Sequence, residues 1–247
     1  MICPICEKDR TIPLIVDLLV CNNCNHIFKN EEVDKKAYEL YRSSAHMERT
    51  PQHIKDANLA ANIRMNNILM FKKGGKLLEL GSGHKFFLDL AKKNGFDVEG
   101  TELSKPMIDE IAHTIHYGNP SEIEALGKYD VICGFHVLEH INKPIEEVRI
   151  LADCLNEGGI IAFELPTMIF YGMELNANDF YEGVHTQYFN QMSLNIFLKR
   201  CRLKPVYMTN YWEGTKTNTY IVAIKESEDI KPFEQSIFKR LAGEKNE

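Results

Sequence analysis

The sequence predicts an α/β fold. It reads as a doubly wound, mainly parallel sheet with a terminal antiparallel hairpin, preceded by a small cysteine-knuckle module. Three observations predict this. Short apolar runs alternate with helix-period segments from about residue 76 to 165, the pattern of repeated β-then-α units. In the first unit, 77–80 reads as a buried strand, Gly81-Ser82-Gly83 as a tight turn and 86–93 as a helix. Two C-x-x-C pairs, Cys3/Cys6 and Cys21/Cys24, open the chain.

The stretch around the glycine turn organises the rest. Strand, glycine turn and helix together can set free backbone N–H groups and a helix N-terminus against a ligand. Glu79 ends the strand with a carboxylate, and Glu102 closes the next apolar segment, 98–102, with a second one where such sheets grip ribose hydroxyls. A dinucleotide fingerprint would need a third glycine at position 86, which is Phe86. An acidic residue two positions before the first glycine favours an amine-bearing ligand over a pyrophosphate.

Composition bounds the reading. At 247 residues and 44% hydrophobic content the chain can bury a full core. A net charge of −6 disfavours a sequence-independent nucleic-acid binder. The absence of a long apolar run and of a basic-then-apolar leader predicts no membrane span and no secretory signal. Seven cysteines, four of them in close pairs, suit a reducing cytoplasm better than a disulfide framework. Two knuckles supply four thiolates, the donor set of structural zinc, and 11–20 reads as the hairpin between them. His26 is expected to pack beside the second knuckle.

Taken in order, 1–30 is the expected zinc ribbon and 31–72 a helical linker or lid. That linker holds a helix with Val33, Ala37, Leu40 and Tyr41 on one face. A second helix over 54–71 aligns Leu59, Ile63 and Met70 and stops at Gly74-Gly75. The main domain spans 73–226. Its further strands are expected at 98–102, 114–117, 129–135 and 160–165, with helices opening at Ser104-Lys105-Pro106 and at Pro144. His136 and His140 follow the fourth strand at a spacing that would share one face of a helical turn. Residues 166–191 read as irregular and aromatic, a cap over the sheet's ligand edge that includes Tyr171, Asn176, Tyr181, His185 and Tyr188. A helix over 194–200 and a hairpin of 203–209 with 219–225 follow. The tail, 227–247, carries Phe233, Ile237 and Leu241 at helical spacing, for packing or a homodimer contact.

The pattern Glu79-x-Gly81-x-Gly83 with Glu102 resembles the S-adenosylmethionine (SAM) site of class I methyltransferases, a Rossmann-like family. His136-Val-Leu-Glu-His140 resembles that family's H-x-L-E-H segment after the fourth strand. Residues 185–189 resemble its substrate-side H-x-x-x-F element. The resemblance implies that Glu79, Gly81, Ser82, Gly83 and His136 meet the methionine end of SAM. Glu102 and Leu103 would then meet the ribose, Phe135 would line the pocket, and Tyr41 would lie over the cofactor. It further implies that His140 and His185 border the transfer site, with His185 as the general base. Lys85 departs from the family, which often has glycine there. Zinc-ribbon-led methyltransferases resemble those of bacterial carbohydrate and antibiotic-sugar pathways, so the expected partner is a small sugar-like acceptor, methylated on oxygen or carbon. The rivals are a ribosomal RNA guanine methyltransferase, against which the acidic balance counts, and a non-catalytic SAM-fold binding module.

Overall fold

The computed structural model describes residues 1–15, 17–30, 50–108, 112–168, 185–213 and 216–227. The expected helix through Tyr41, most of the aromatic cap from Tyr171 to Glu182, and the amphipathic tail lie outside the described residues.

Strands β1 (Thr11–Ile15), β2 (Leu18–Cys21) and β3 (Ile27–Lys29) form an antiparallel meander. Helix α1 (Pro51–Ile68) follows, capped by Thr50, whose hydroxyl accepts from His53 N at 3.2 Å. Then come β4 (Gly75–Leu80), α2 (Phe86–Lys93), β5 (Phe96–Glu102), α3 (Lys105–Ile108), β6 (Thr114–Tyr117) and β7 (Tyr129–Phe135). The chain continues through α4 (Pro144–Asp153), β8 (Leu155–Met168), β9 (Gln187–Asn190), α5 (Gln191–Arg200), β10 (Leu203–Glu213) and β11 (Lys216–Lys225).

The sheet runs β1-β2-β3-β9-β8-β7-β4-β5-β6, with β11 pairing β8 and β10 pairing β11. β4, β5, β6, β7 and β8 are parallel, and the β10–β11 hairpin is antiparallel, as expected. Side chains alternate between two cores, as the strand period of two requires. Val131 and Cys133 pack with Met65, Ile68 and Leu88 on the α1/α2 face. Ile132 packs with Val148, Leu151 and Phe197 on the α4/α5 face.

Three expectations change. The buried face of α1 is Ala61, Met65 and Ile68, while Leu59 and Ile63 are exposed. Local periodicity misplaced that face because Arg64, a charged residue, turns inward. The stretch expected to be irregular holds the end of β8 and the whole of β9. β9 takes up the edge of β8 just past the point where β7 ends: Phe135 pairs Glu164, then Phe189 pairs Thr167. Its partners lie far away in sequence, so no local pattern announced it. Finally, the sheet passes without a break from β3 to β9 through Ile27–Tyr188 and Phe28–Gln187. Asn190 strengthens that seam by capping α5 through Ser193 N while donating to Asn25 O at 2.7 Å.

Candidate active site

The glycine turn stands at the C-terminal ends of the central strands, where open α/β sheets bind ligands. Gly81 has φ +66°, and a Cβ there would come within 2.7 Å of Val137 Cγ2, so only glycine fits. Gly83 and Lys85 are also left-handed, at φ +52° and +60°. Lys85 therefore keeps the backbone shape that glycine would give.

The turn's N–H groups, expected from the local pattern to be free for a ligand, are bonded within the protein instead. Gly81 N donates to Thr101 Oγ1 at 3.3 Å, Ser82 N to Thr101 O at 2.9 Å and Gly83 N to Glu102 Oε2 at 3.0 Å. Glu102 also accepts from Leu103 N at 2.8 Å and Ser104 N at 2.9 Å. It thus holds two loops together at the tip of β5. Ser82 is buried with its hydroxyl toward Thr101 O, so it brings backbone rather than side chain to the cleft.

Glu79 brings a buried carboxylate to this edge of the sheet. It is 5% exposed, and its Oε2 has no hydrogen-bond partner among the described residues. Burial pushes its pKa well above the ordinary carboxylate range. The nearby Glu102 charge adds to this, and Arg64 opposes it. A buried acid with an unmet oxygen fits a ligand that brings its own cationic donor.

Beside it runs a charged chain that the sequence did not disclose. Arg64 of α1 reaches across to β8, where its Nε donates to Glu164 Oε1 at 3.0 Å and its second nitrogen pairs with the same oxygen. Its guanidinium lies 4.7 Å from the centre of the Phe135 ring. Glu164 also meets His136 Nε2 at 3.2 Å, and His136 Nδ1 stands 3.4 Å from Glu139. Burial would lower the His136 pKa, but the two carboxylates outweigh it and raise it to about 9.

His136 has φ +55°, which ends the strand abruptly. The next residues form a 3-10 turn, Leu138–His140, rather than the helical turn expected from the spacing. The two histidines consequently serve different partners. His136 faces Glu164 and Glu139, whereas His140 meets His185, ring centres 4.7 Å apart at 66°. Thr186 fixes this meeting by donating its N–H, at 2.7 Å, and its hydroxyl, at 3.2 Å, to Glu139 O.

At the other end of the sheet, Cys3, Cys6, Cys21 and Cys24 bring their sulfurs within 4.8 Å of one another. Cys3 Sγ lies 3.7 Å from Cys24 Sγ and Cys6 Sγ 3.5 Å from Cys21 Sγ. These separations are too long for disulfides and near the ~3.8 Å edge of a tetrahedral zinc–thiolate site. His26 packs beside them, fully buried between Gln187 Oε1 at 2.9 Å and Ser193 Oγ at 3.3 Å.

A parallel sheet with a terminal antiparallel hairpin, a glycine turn and an acidic residue at each of two adjacent strand tips defines a class I SAM-dependent methyltransferase. Comparison with known proteins agrees. A family model described as a methyltransferase domain matches residues 46–204, and the chain belongs to that family. Among solved structures, the chain resembles a 1,6-didemethyltoxoflavin-N1-methyltransferase from Burkholderia thailandensis, with TM-score 0.59 and 14% identity. That match covers 87% of this chain and 99% of the other. It also resembles a SAM-dependent methyltransferase from Mesorhizobium loti, with TM-score 0.55 and 14% identity over 68% and 99% of the two chains. The [4+2]-cyclase SpnF is similar too, with TM-score 0.61 and 11% identity over 80% and 98%. At these identities the likeness is one of fold. Among curated proteins there is no match. No helix among the described residues is long and apolar enough to cross a membrane.

Proposed function

We propose that the protein methylates a small polar acceptor, an activated sugar or glycan precursor, on oxygen or carbon. SAM supplies an electrophilic methyl group on a sulfonium. In this reading Glu79 meets the ammonium of the methionine end, and Gly81, Ser82 and Gly83 let the ligand approach the backbone. His136 and Phe135 border it, while Glu102 and Leu103 receive the ribose; Tyr41, expected over the cofactor, lies outside the described residues. The four knuckle cysteines hold a structural zinc. His140 and His185 form the acceptor end, where His185 draws off the hydroxyl proton as the carbon–oxygen bond forms and His140 orients it.

The observation that carries the reading is the meeting of His140 and His185 past the end of β7, in a fold whose ligands lie at that edge. A sugar hydroxyl is a poor nucleophile at neutral pH, so a group that removes its proton is needed. The test is transfer of labelled methyl from SAM to a panel of nucleotide-activated sugars. His185→Ala should slow single-turnover transfer by ~10²–10⁴ while SAM affinity is kept. Unchanged turnover in the variant would refute this role for the histidine.

A further inference from the structure

The acceptor end holds one more group than methyl transfer by a histidine base requires. Glu139 lies between the two histidines of its segment and is 1% exposed. Neither of its carboxylate oxygens has a hydrogen-bond partner of normal geometry among the described residues; the His136 contact, at 3.4 Å, is long. A buried carboxylate is costly unless cationic groups meet it; His136 approaches Oε1 from one side at 3.4 Å, and Oε2 has no hydrogen-bond partner among the described residues. The ligand atoms of Glu139, His140 and His185 all lie within 4.8 Å of one another. His140 and His185 are half-buried, so the set is partly accessible to solvent.

We infer that Glu139, His140 and His185 form a binding site for a divalent first-row cation at the acceptor end of the cleft. Two imidazoles and one carboxylate are the donor set of open, catalytic metal sites, in which remaining positions are left for water or substrate. A shared ion imposes donor separations of roughly 3–3.4 Å, given metal–ligand bonds of about 2.1 Å. The ligand atoms of the observed cluster lie within 4.8 Å of one another, somewhat wider than this. The backbone is already fixed on both sides. The two Thr186 bonds to Glu139 O tie the His185 segment to the turn that carries Glu139 and His140.

This inference rests on reading the His140–His185 edge as the acceptor end, and it changes how that edge works. With the cation bound, His185 acts as a ligand and the hydroxyl is acidified by the ion. The proton leaves to solvent, the acceptor oxygen forms its bond to the methyl carbon, and the carbon–sulfur electron pair returns to sulfur. The products are the methyl ether and S-adenosylhomocysteine.

The test is a titration of the full chain with Mn²⁺, followed by calorimetry and electron paramagnetic resonance. Mn²⁺ prefers nitrogen and oxygen donors to thiolates, which keeps it off the cysteine cluster. The expected result is one saturable Mn²⁺ per chain, with binding weakened by roughly tenfold or more in Glu139→Gln and in His185→Asn. His185→Asn changes a half-buried side chain, and its melting curve shows whether the fold is kept. No saturable binding by the wild type, or equal binding by a folded His185→Asn, overturns the proposal. Methyl transfer separates the two claims. If the wild type keeps its full rate after Mn²⁺ is dialysed away while His185→Ala is slow, the ion is dispensable and only the acceptor-end reading stands. If His185→Ala transfers as fast as the wild type, the acceptor-end reading itself fails.

Discussion

Arg64 and Glu164, one hundred residues apart, form an ion pair that ties helix α1 to the end of the central strand β8. The Arg64 guanidinium lies over the Phe135 ring, and Glu164 is shared with His136. The pair joins the helix that precedes β4 and the glycine turn to β8 and, through Glu164, to His136 after β7.

Removing one partner of a buried pair leaves the other charge uncompensated. Arg64→Met should destabilise the fold by about 3 kcal/mol, the lower end for a broken buried pair, because His136 still meets Glu164. Denaturant unfolding measures this. A loss below ~1 kcal/mol would mean that the pair behaves as a surface contact.

Glu79 predicts a proton-linked step in SAM binding. Burial raises its pKa, so between the ordinary carboxylate range and that raised value the free protein holds it neutral. An incoming ammonium favours the carboxylate, so binding releases a proton and affinity rises with pH across the window. By the same sign, the ligand-free fold loses stability as pH rises through it, since a buried neutral acid must ionise. Calorimetry in two buffers of different ionisation enthalpy should give different apparent heats, and Glu79→Gln should remove the difference. Identical heats in the wild type would contradict the assignment.

The cysteine cluster predicts about one zinc per chain, lost in the Cys21→Ser, Cys24→Ser double variant, by elemental analysis. Cys3, Cys21 and Cys24 share a core cluster with Phe189 and Phe197, and β3 pairs β9. Metal removal is therefore expected to lower the main unfolding transition rather than melt a ribbon alone. A separate low-temperature transition with the main one unmoved would show the ribbon to be independent.

What was legible in the sequence was local. The strands from β4 to β8, the glycine turn, the acid at the tip of β5 and the terminal hairpin all announce themselves through apolar runs, turn residues and caps. What was hidden depends on distant partners. Arg64 reads as a solvent charge on a helix until Glu164 is placed beside it. β9 is four residues long and exists because β8 and β3 flank it. The spacing of His136 and His140 suggested one helical face, but a left-handed backbone at His136 sends them to different partners. Glu139 is one residue of that segment in the sequence, and its closeness to His185 arises only because His185 arrives from a distant part of the chain.

The central claim is that SAM lies across the glycine turn with its ribose on Glu102. The most direct measurement is calorimetric titration of SAM into the wild type and Glu102→Ala. Glu102 accepts three backbone N–H groups that hold the turn and the β5 tip together, so the substitution removes these bonds along with the proposed ribose contact. The account predicts saturable SAM binding by the wild type, weakened by roughly 1–3 kcal/mol in the variant. Equal SAM affinity in the two proteins, or binding of NAD in place of SAM, would contradict it.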